Sequence, residues 1–453
     1  MFVIMVSIAV AAPAFTTWKW RKLTTAPLPP RYPPSTLRCF SVTRPPLSLR
    51  YAVLGAGFAG LSVAWNLLRH GSMESHLCVD IYDEVGIGGG ASGVAGGLLH
   101  PYSPKVKLLW RGEECWNESL NLLHIAEDAL LKLQKLGKRS SSEIAESPVV
   151  RRRGILRPVV NPKSMNIMTE NAQNYIANCR IETIREDAAR DLVPDLSLPL
   201  DLAFHMPDAL NINAQSYLEG LYLACQNLTN AIPPSGCKNR ELNFYRRSIT
   251  SLVDITGNYD AVIICLGARA MFLPEMSGKL PLRMCRGIIS HMQLVDDTRE
   301  AYSEHGPSIL SDAWLAVRDA RRIDMGSTWD WKSRNHSREV STDENSEATE
   351  RLLRKAASVY PAIENWTVTG AVAGLRAMPP LTVDGSLPLL GCVDEYIIGE
   401  RRTCKYWLFA GLGARGLLYH GWLGKLLALA VISRDESLLP CELTLWRRES
   451  GKE

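Results

Sequence analysis

The sequence predicts an α/β protein with two interleaved domains, one on a mostly parallel dinucleotide-binding sheet and one on a mixed or antiparallel sheet. Three observations carry that expectation. The apolar run from Tyr51 ends in Gly55-x-Gly57-x-x-Gly60 and passes straight into the helical stretch Leu61–Leu68. A second apolar run, Leu77 to Asp83, closes on an acid at about the distance the dinucleotide fingerprint requires. A third, Ala261 to Leu266 between Asp260 and Gly267, is apolar throughout, as a central parallel strand is. At 453 residues the chain exceeds one ordinary core, so two domains are expected from length.

Strand, glycine turn, helix, strand and acid, in that order, make a Rossmann-like unit. Gly55 permits the tight turn, Gly57 lets backbone N–H groups approach a pyrophosphate, and Gly60 lets helix and strand pack closely. Ala56, Phe58 and Ala59 fill the intervening positions, where unpaired amides and a positive dipole end favour phosphate. Asp83 falls where a carboxylate accepts hydrogen bonds from an adenosine ribose.

Beyond Asp83, residues Val85 to Pro101 form a loop unusually rich in glycine, which lets backbone run flush against a flat ligand. The periodicity predicts an amphipathic helix from Lys105 to Lys138, with Leu108, Leu109, Leu120, Leu123, Ala126, Leu130 and Leu133 as its buried stripe. Gly154–Val160 reads as a strand, followed by a polar helical region to Leu192 and a helix over Ala214–Cys225. Phe244–Val253 reads as a strand, and Pro281 to Thr328 is strand-like in pattern. Asp330–Glu350 is charged and Ser/Asn-rich, the composition of an exposed loop, with an amphipathic helix over Ala348–Tyr360 behind it. A helix from about Leu417 to Ile432 closes the pattern. The order predicts a cofactor domain assembled from 50–100, 201–274 and 376–441, and a substrate domain from 101–200 and 275–375.

The first 50 residues hold seven Lys/Arg and no acid, and are rich in Ser, Thr and Pro. That composition predicts a disordered organelle transit peptide over residues 1–49, plastid before mitochondrion. Without those seven bases the chain has 44 Lys/Arg against 47 Asp/Glu, a net charge of −3, so its bulk charge does not advertise a nucleic-acid partner. Eleven cysteines lie singly, without C-x-x-C or Cys/His clustering, which speaks against a disulfide framework and against a metal site. No run approaches the ~20 apolar residues of a membrane span.

From Arg50 to about Cys441 the chain resembles the FAD-dependent oxidoreductases of the D-amino-acid-oxidase and glycine-oxidase type. Five blocks carry the resemblance: Gly55-Gly57-Gly60 with Asp83; Gly90–Leu98; Asp260–Gly267 with Arg286-Gly287; Ala373–Arg376 with Asp384-Gly385 and Pro388; and Ala410–Gly416. The Ala91-Ser-Gly loop and the Gly-Leu-Gly-Ala-Arg-Gly turn are most similar to the C-terminal oxidoreductase domain of the bacterial bifunctional tRNA 5-methylaminomethyl-2-thiouridine biosynthesis protein.

The resemblance implies a GR2-type FAD-binding domain. Ala91, Ser92, Gly96 and Gly97 would pass along the flavin, with Gly267 beside it. Gly411, Gly413, Ala414, Gly416 and Leu417 would set the N-terminus of the last long helix at the flavin N1/C2=O edge, where a helix stabilises an anion by ~0.3–2 kcal/mol. Arg376 would hold a substrate carboxylate, with Arg415 assisting, since a planar guanidinium meets two oxygens with two parallel N–H donors. Trp314 and His100 stand where relatives carry tyrosine in the pocket, and His420 lies in the first turn of the last long helix. The stretch Ala377–Val383 lacks the cysteine by which some relatives bind flavin covalently, so FAD is expected to be non-covalent. The implied reaction oxidises a C–N bond of an amino acid or N-substituted glycine, with dioxygen reoxidising the flavin. Two alternatives stand beside it: removal of a carboxymethyl group from a tRNA wobble uridine, and a flavin-binding protein without catalysis.

Overall fold

The C-terminal ends of five parallel strands converge on one crevice, and the topology follows from the burial of each strand. In the computed structural model, residues 48–135, 148–231, 239–255, 259–295, 301–397 and 404–449 are described. The transit peptide expected over residues 1–49 lies outside the described residues, except that the first strand takes in Ser48 and Leu49. The six-stranded sheet has the order Leu389–Cys392, Lys405–Ala410, Ala261–Ile264, Ser48–Leu54, His76–Asp83, Arg240–Arg246. Only Leu389–Cys392 runs antiparallel to its neighbour. In the register Ala52 lies between Val262 and Asp80, and Val53, Leu54, Ile263 and Ile264 are fully buried, as strands covered on both faces must be.

An eight-stranded sheet follows the order Thr367–Met378, Arg283–Gln293, Arg322–Gly326, Trp314–Asp319, Ser308–Ile309, Ile155–Pro158, Ala203–Met206, Glu182–Ile184. Its pairings are antiparallel except between Ser308–Ile309 and Ile155–Pro158. A small three-stranded sheet joins Leu98–Leu99, Leu210–Ile212 and Val150–Arg151. The helices are α1 (Phe58–His70), α2 (Gly112–Lys135), α3 (Pro162–Asn171), α4 (Glu186–Leu192), α5 (Ala214–Asn230), α6 (Thr342–Ala357) and α7 (Gly416–Ser433).

Helix α7 is long and apolar enough to cross a membrane by length and composition. Its apolarity is used inside the fold, where Leu423, Leu427 and Ala430 are fully buried. Glycines let its neighbours approach: Gly421 touches the Glu118–Ser119 backbone of α2, and a Cβ on Gly424 would overlap the Ser62 hydroxyl of α1.

Three sequence expectations are corrected. The helix expected over Lys105–Lys138 begins only at Gly112, because Val106 and Arg111 adopt positive φ and Leu108 forms a bridge with Tyr102. The expected strand Phe244–Val253 is Arg240–Arg246, and a 3-10 turn occupies Leu252–Ile255. Helix α6 starts at Thr342 rather than Ala348, fixed by a capping box in which Ser341 Oγ and the Glu344 carboxylate each accept the other's backbone N–H. The expected loop Asp330–Glu350 therefore ends at Ser341. Its first part is pinned rather than free: the buried Arg286 guanidinium donates to the carbonyls of Ser337 and Glu339.

Candidate active site

The crevice opens into a cavity of about 640 Å³, within the range of small-molecule sites. At one end stands the first glycine turn. Gly55 has φ +103, and a Cβ there would meet the Cys265 carbonyl at 2.5 Å. A Cβ on Gly57 would come within 2.7 Å of Ser92 Oγ, closing the approach to α1. Gly60 lies outside the cavity, under the Gly55 carbonyl, where any side chain would overlap backbone. Ala56 also lies outside it.

The side chains around the turn are partly occupied already. Asp83 accepts the Ala56 N–H through Oδ2 (2.9 Å) and the Val85 and Gly86 N–H groups through Oδ1 (3.0 and 2.9 Å). It thus clamps the turn and keeps acceptor capacity on Oδ2 for a ribose hydroxyl. Ser92 Oγ accepts the Phe58 N–H at 3.1 Å, leaving its own hydrogen to donate. Gly57, the N-cap of α1, has no side chain to cap the helix, and Ala59 in its first turn lines the cavity.

The glycine-rich loop forms a wall. Ala91 and Ser92 line the cavity, with Gly96 and Gly97 further along. The Trp314 indole lies against Gly96, and Gly326, directly across the strand pair from Trp314, is bare for the same reason. Gly97 has φ +84 and backs onto the Ile212 carbonyl. Gly267, at φ +57 with nothing near its Cβ direction, opens to the cavity from the end of its strand.

The second glycine turn also lines the cavity, with Gly411 and Gly413 at φ +73 and +53 and Gly416 against the Phe58 ring at the start of α1. It delivers Ala414, Gly416 and Leu417 to the cavity at the start of α7, whose N-cap Arg415 makes no capping bond. The Gly413 N–H donates to the Ala377 carbonyl, which ties this turn to the strand bearing Arg376. His420 is not in the cavity. Its Nδ1 donates to the Gly416 and Leu417 carbonyls, and its Nε2 accepts the Tyr217 hydroxyl at 2.6 Å, so it fastens α7 to α5.

Among the charged side chains that line this space, Arg376, Arg415, His100 and Arg157 carry the argument. Arg376 donates to Ser327 Oγ (2.5 Å) and the Thr328 carbonyl (3.2 Å), with its central carbon 4.6 Å from the Trp329 ring centroid. Burial depresses its guanidinium, and no carboxylate among the described residues answers the charge. Burial likewise depresses Arg415. His100 is buried and held well below the usual imidazole value, first by burial and then by Arg415 and Arg157. Its Nδ1 accepts the Tyr102 N–H (3.3 Å), so the neutral ring carries its proton on Nε2 as a donor.

Arg157 is the residue that sequence reasoning missed. It lies in the strand Ile155–Pro158 as that strand's only charge and lines the cavity. A lone arginine in an otherwise apolar strand was the available signal. Ser327, Trp329 and the loop residues His336–Arg338 were also missed. They come from the segment that composition marks as exposed loop, and from its approach strand.

A family profile described as DAO, FAD dependent oxidoreductase, matches residues 50–430. A protein of Rhizobium etli assigned the name thiamine biosynthesis oxidoreductase ThiO is 26% identical over 341 residues, 73% of this chain and 85% of its own. Among solved structures, glycine oxidase from Geobacillus kaustophilus matches with TM-score 0.64 at 18% identity, over 88% of this chain and 98% of its own. Iminodiacetate oxidase from Chelativorans sp. BNC1 matches with TM-score 0.60 at 19% identity, over 87% and 98%. These likenesses at low identity carry the fold.

Proposed function

The chain belongs to the DAO family of FAD-dependent oxidoreductases, and from that premise we propose that it oxidises the C–N bond of a carboxylate-bearing amine. The observation that carries this is Arg376: a largely buried guanidinium in the cavity, held by a hydroxyl and a carbonyl and without a carboxylate partner among the described residues. Nature buries a charge only with compensation, so the missing partner is a ligand anion. Relatives by fold include a glycine oxidase and an iminodiacetate oxidase, both named for glycine-like substrates.

The residues present fit FAD. Two bare glycine turns open the helix ends of α1 and α7, and Ser92 and Asp83 keep hydrogen-bonding capacity at the first. FAD bound there supplies the two-electron acceptor. The chain does the rest. Arg376 binds and orients the substrate carboxylate with the Trp329 ring beside its guanidinium, Trp314 walls the site at Gly96, and neutral His100 offers an N–H donor. Arg415 and the first amides of α7 add positive potential at the second turn. The amine loses two electrons and two protons to become an imine, and water then releases a carbonyl compound and the amine or ammonia.

Several finer readings belong to the same proposal. Dioxygen is the final electron acceptor. FAD is held without a covalent bond: burial pushes the Cys265 and Cys285 thiols up, away from the reactive thiolate. The cofactor domain is interleaved with a substrate domain, along the six- and eight-stranded sheets. Residues 1–49 are a plastid address, with mitochondrion the alternative, which import of a fluorescent fusion tests. The wobble-uridine reading uses the same anchor, but the net −3 charge of the chain past residue 50 weighs against it. Comparing wobble-uridine modification in organelle tRNA with and without the gene decides that.

Arg376→Ala tests the main proposal. Loss of a charge-assisted pair worth ~3–4 kcal/mol should raise KM for a carboxylate-bearing amine by about two to three orders of magnitude. An unchanged KM removes Arg376 from substrate binding.

A further inference from the structure

Arg376 is not the only arginine in the cavity without an anionic partner among the described residues. Arg157 sits on the strand Ile155–Pro158, well away in the fold from the strand Thr367–Met378 that carries Arg376. One of its Nη atoms donates to the Leu310 carbonyl at 3.3 Å. Its Nε is buried and has no hydrogen-bond partner. A guanidinium has five N–H donors, so most of this one's capacity is unspent inside the cavity. Arg415 is near enough to raise the cost of its charge, and the exposed Asp312 at the rim only partly offsets this. Burial, chiefly, and Arg415 push Arg157 down to about 10, which still leaves it charged at neutral pH.

Two positive charges that line one largely enclosed cavity repel unless an anion joins them. The cofactor phosphates do not serve, because their place is the bare α1 end beside Gly57 and Ser92. The neighbours of Arg157 are instead Leu310, Asp312, Arg415 and His100.

We infer that Arg157 and Arg415 form a second anion subsite and that the substrate is an amine with two acidic groups, one on Arg376 and one on this pair. This rests on the reading of Arg376 as a carboxylate anchor and names the substrate class more closely. A simple amino acid fills only one subsite. A diacid satisfies both, and its second group also selects against monoacids by leaving Arg157 unpaired in their complexes.

The test uses the FAD-loaded protein and inert ligands, read by calorimetry: succinate, glutarate and adipate, each against its own monoamide. The members of each pair have nearly the same shape and differ by one charge. The best diacid should bind about tenfold or more tightly than its monoamide, as a charge-assisted hydrogen bond predicts. Arg157→Gln should collapse that ratio while leaving monoamide affinity nearly unchanged, and Arg157→Lys should retain part of it. Asp312→Asn, at an exposed position, should tighten the diacid alone. Equal wild-type binding of diacid and monoamide overturns the inference, as does a ratio indifferent to both Arg157→Gln and Asp312→Asn. Arg376→Ala should weaken diacid and monoamide alike. If it weakens neither while the ratio still depends on Arg157, the anchor reading fails and the second subsite stands.

Discussion

The guanidinium of Arg376 occupies the space that a side chain on Gly287 would need, on the neighbouring antiparallel strand. Gly287→Ala therefore places a methyl group against the tip of a long side chain, not against backbone. The tip gives way at little cost in stability, but it leaves the geometry in which Ser327 and Thr328 hold it. We expect a melting temperature close to wild type and a KM for the carboxylate substrate raised about tenfold or more, since small misplacements cost that much. Steady-state kinetics with a thermal melt checks both halves.

The last two glycines of the first turn should fail differently. A Cβ on Gly57 meets the Ser92 side chain at 2.7 Å, which can turn aside. Gly57→Ala should fold and lose FAD affinity by about tenfold or more as the amides are screened. A Cβ on Gly60 overlaps the Gly55 carbonyl, which cannot move without opening the turn. Gly60→Ala should cost about 3 kcal/mol of stability or more. Urea unfolding with measured FAD content separates the two.

His420 gives a pH signature of stability. Burial pushes its imidazole down from 6.5 to about 4, against the hydrogen bonds it donates to Gly416 and Leu417. Between those values the unfolded chain takes up a proton that the folded chain refuses. Stability is therefore lost as pH falls from about 6.5 to about 4 and is level in this term below that, for a total of about 3 kcal/mol. His420→Gln cannot titrate, so the pH dependence of its melting temperature should be flatter over that window. A wild-type and variant profile of equal slope contradicts the assignment.

The parts of the site that rest on local rules were legible in the sequence. Gly55, Gly57 and Gly60 announce themselves because each is required by a separate backbone approach, and the second turn does so through Gly411 and Gly413. Arg157 stands out in the sequence only as the lone charge of an apolar strand; that it has no counter-ion among the described residues shows only once the fold brings Leu310 beside it. The stretch 330–341 misled for a related reason. Its composition is that of a solvated loop, yet its carbonyls satisfy Arg286, a contact between residues about fifty apart. Helix α6 was placed late although Ser341-x-x-Glu344 is a local capping signal, because the charged run was read as one unit. The early helix start at Lys105 followed the leucine pattern, which continues through a turn whose positive φ at Val106 and Arg111 no periodicity reveals.

The central claim is that this flavoprotein accepts electrons from a carboxylate-bearing amine anchored by Arg376. Anaerobic mixing of the FAD-loaded protein, residues 48–453, with a panel of amino acids, N-alkylglycines and amino diacids tests it most directly. The visible flavin absorbance should bleach with at least one carboxylate-bearing amine, and Arg376→Ala should need a far higher concentration of that amine for the same bleaching. A flavin that stays oxidised across the whole panel, or one that bleaches equally well without Arg376, contradicts the account.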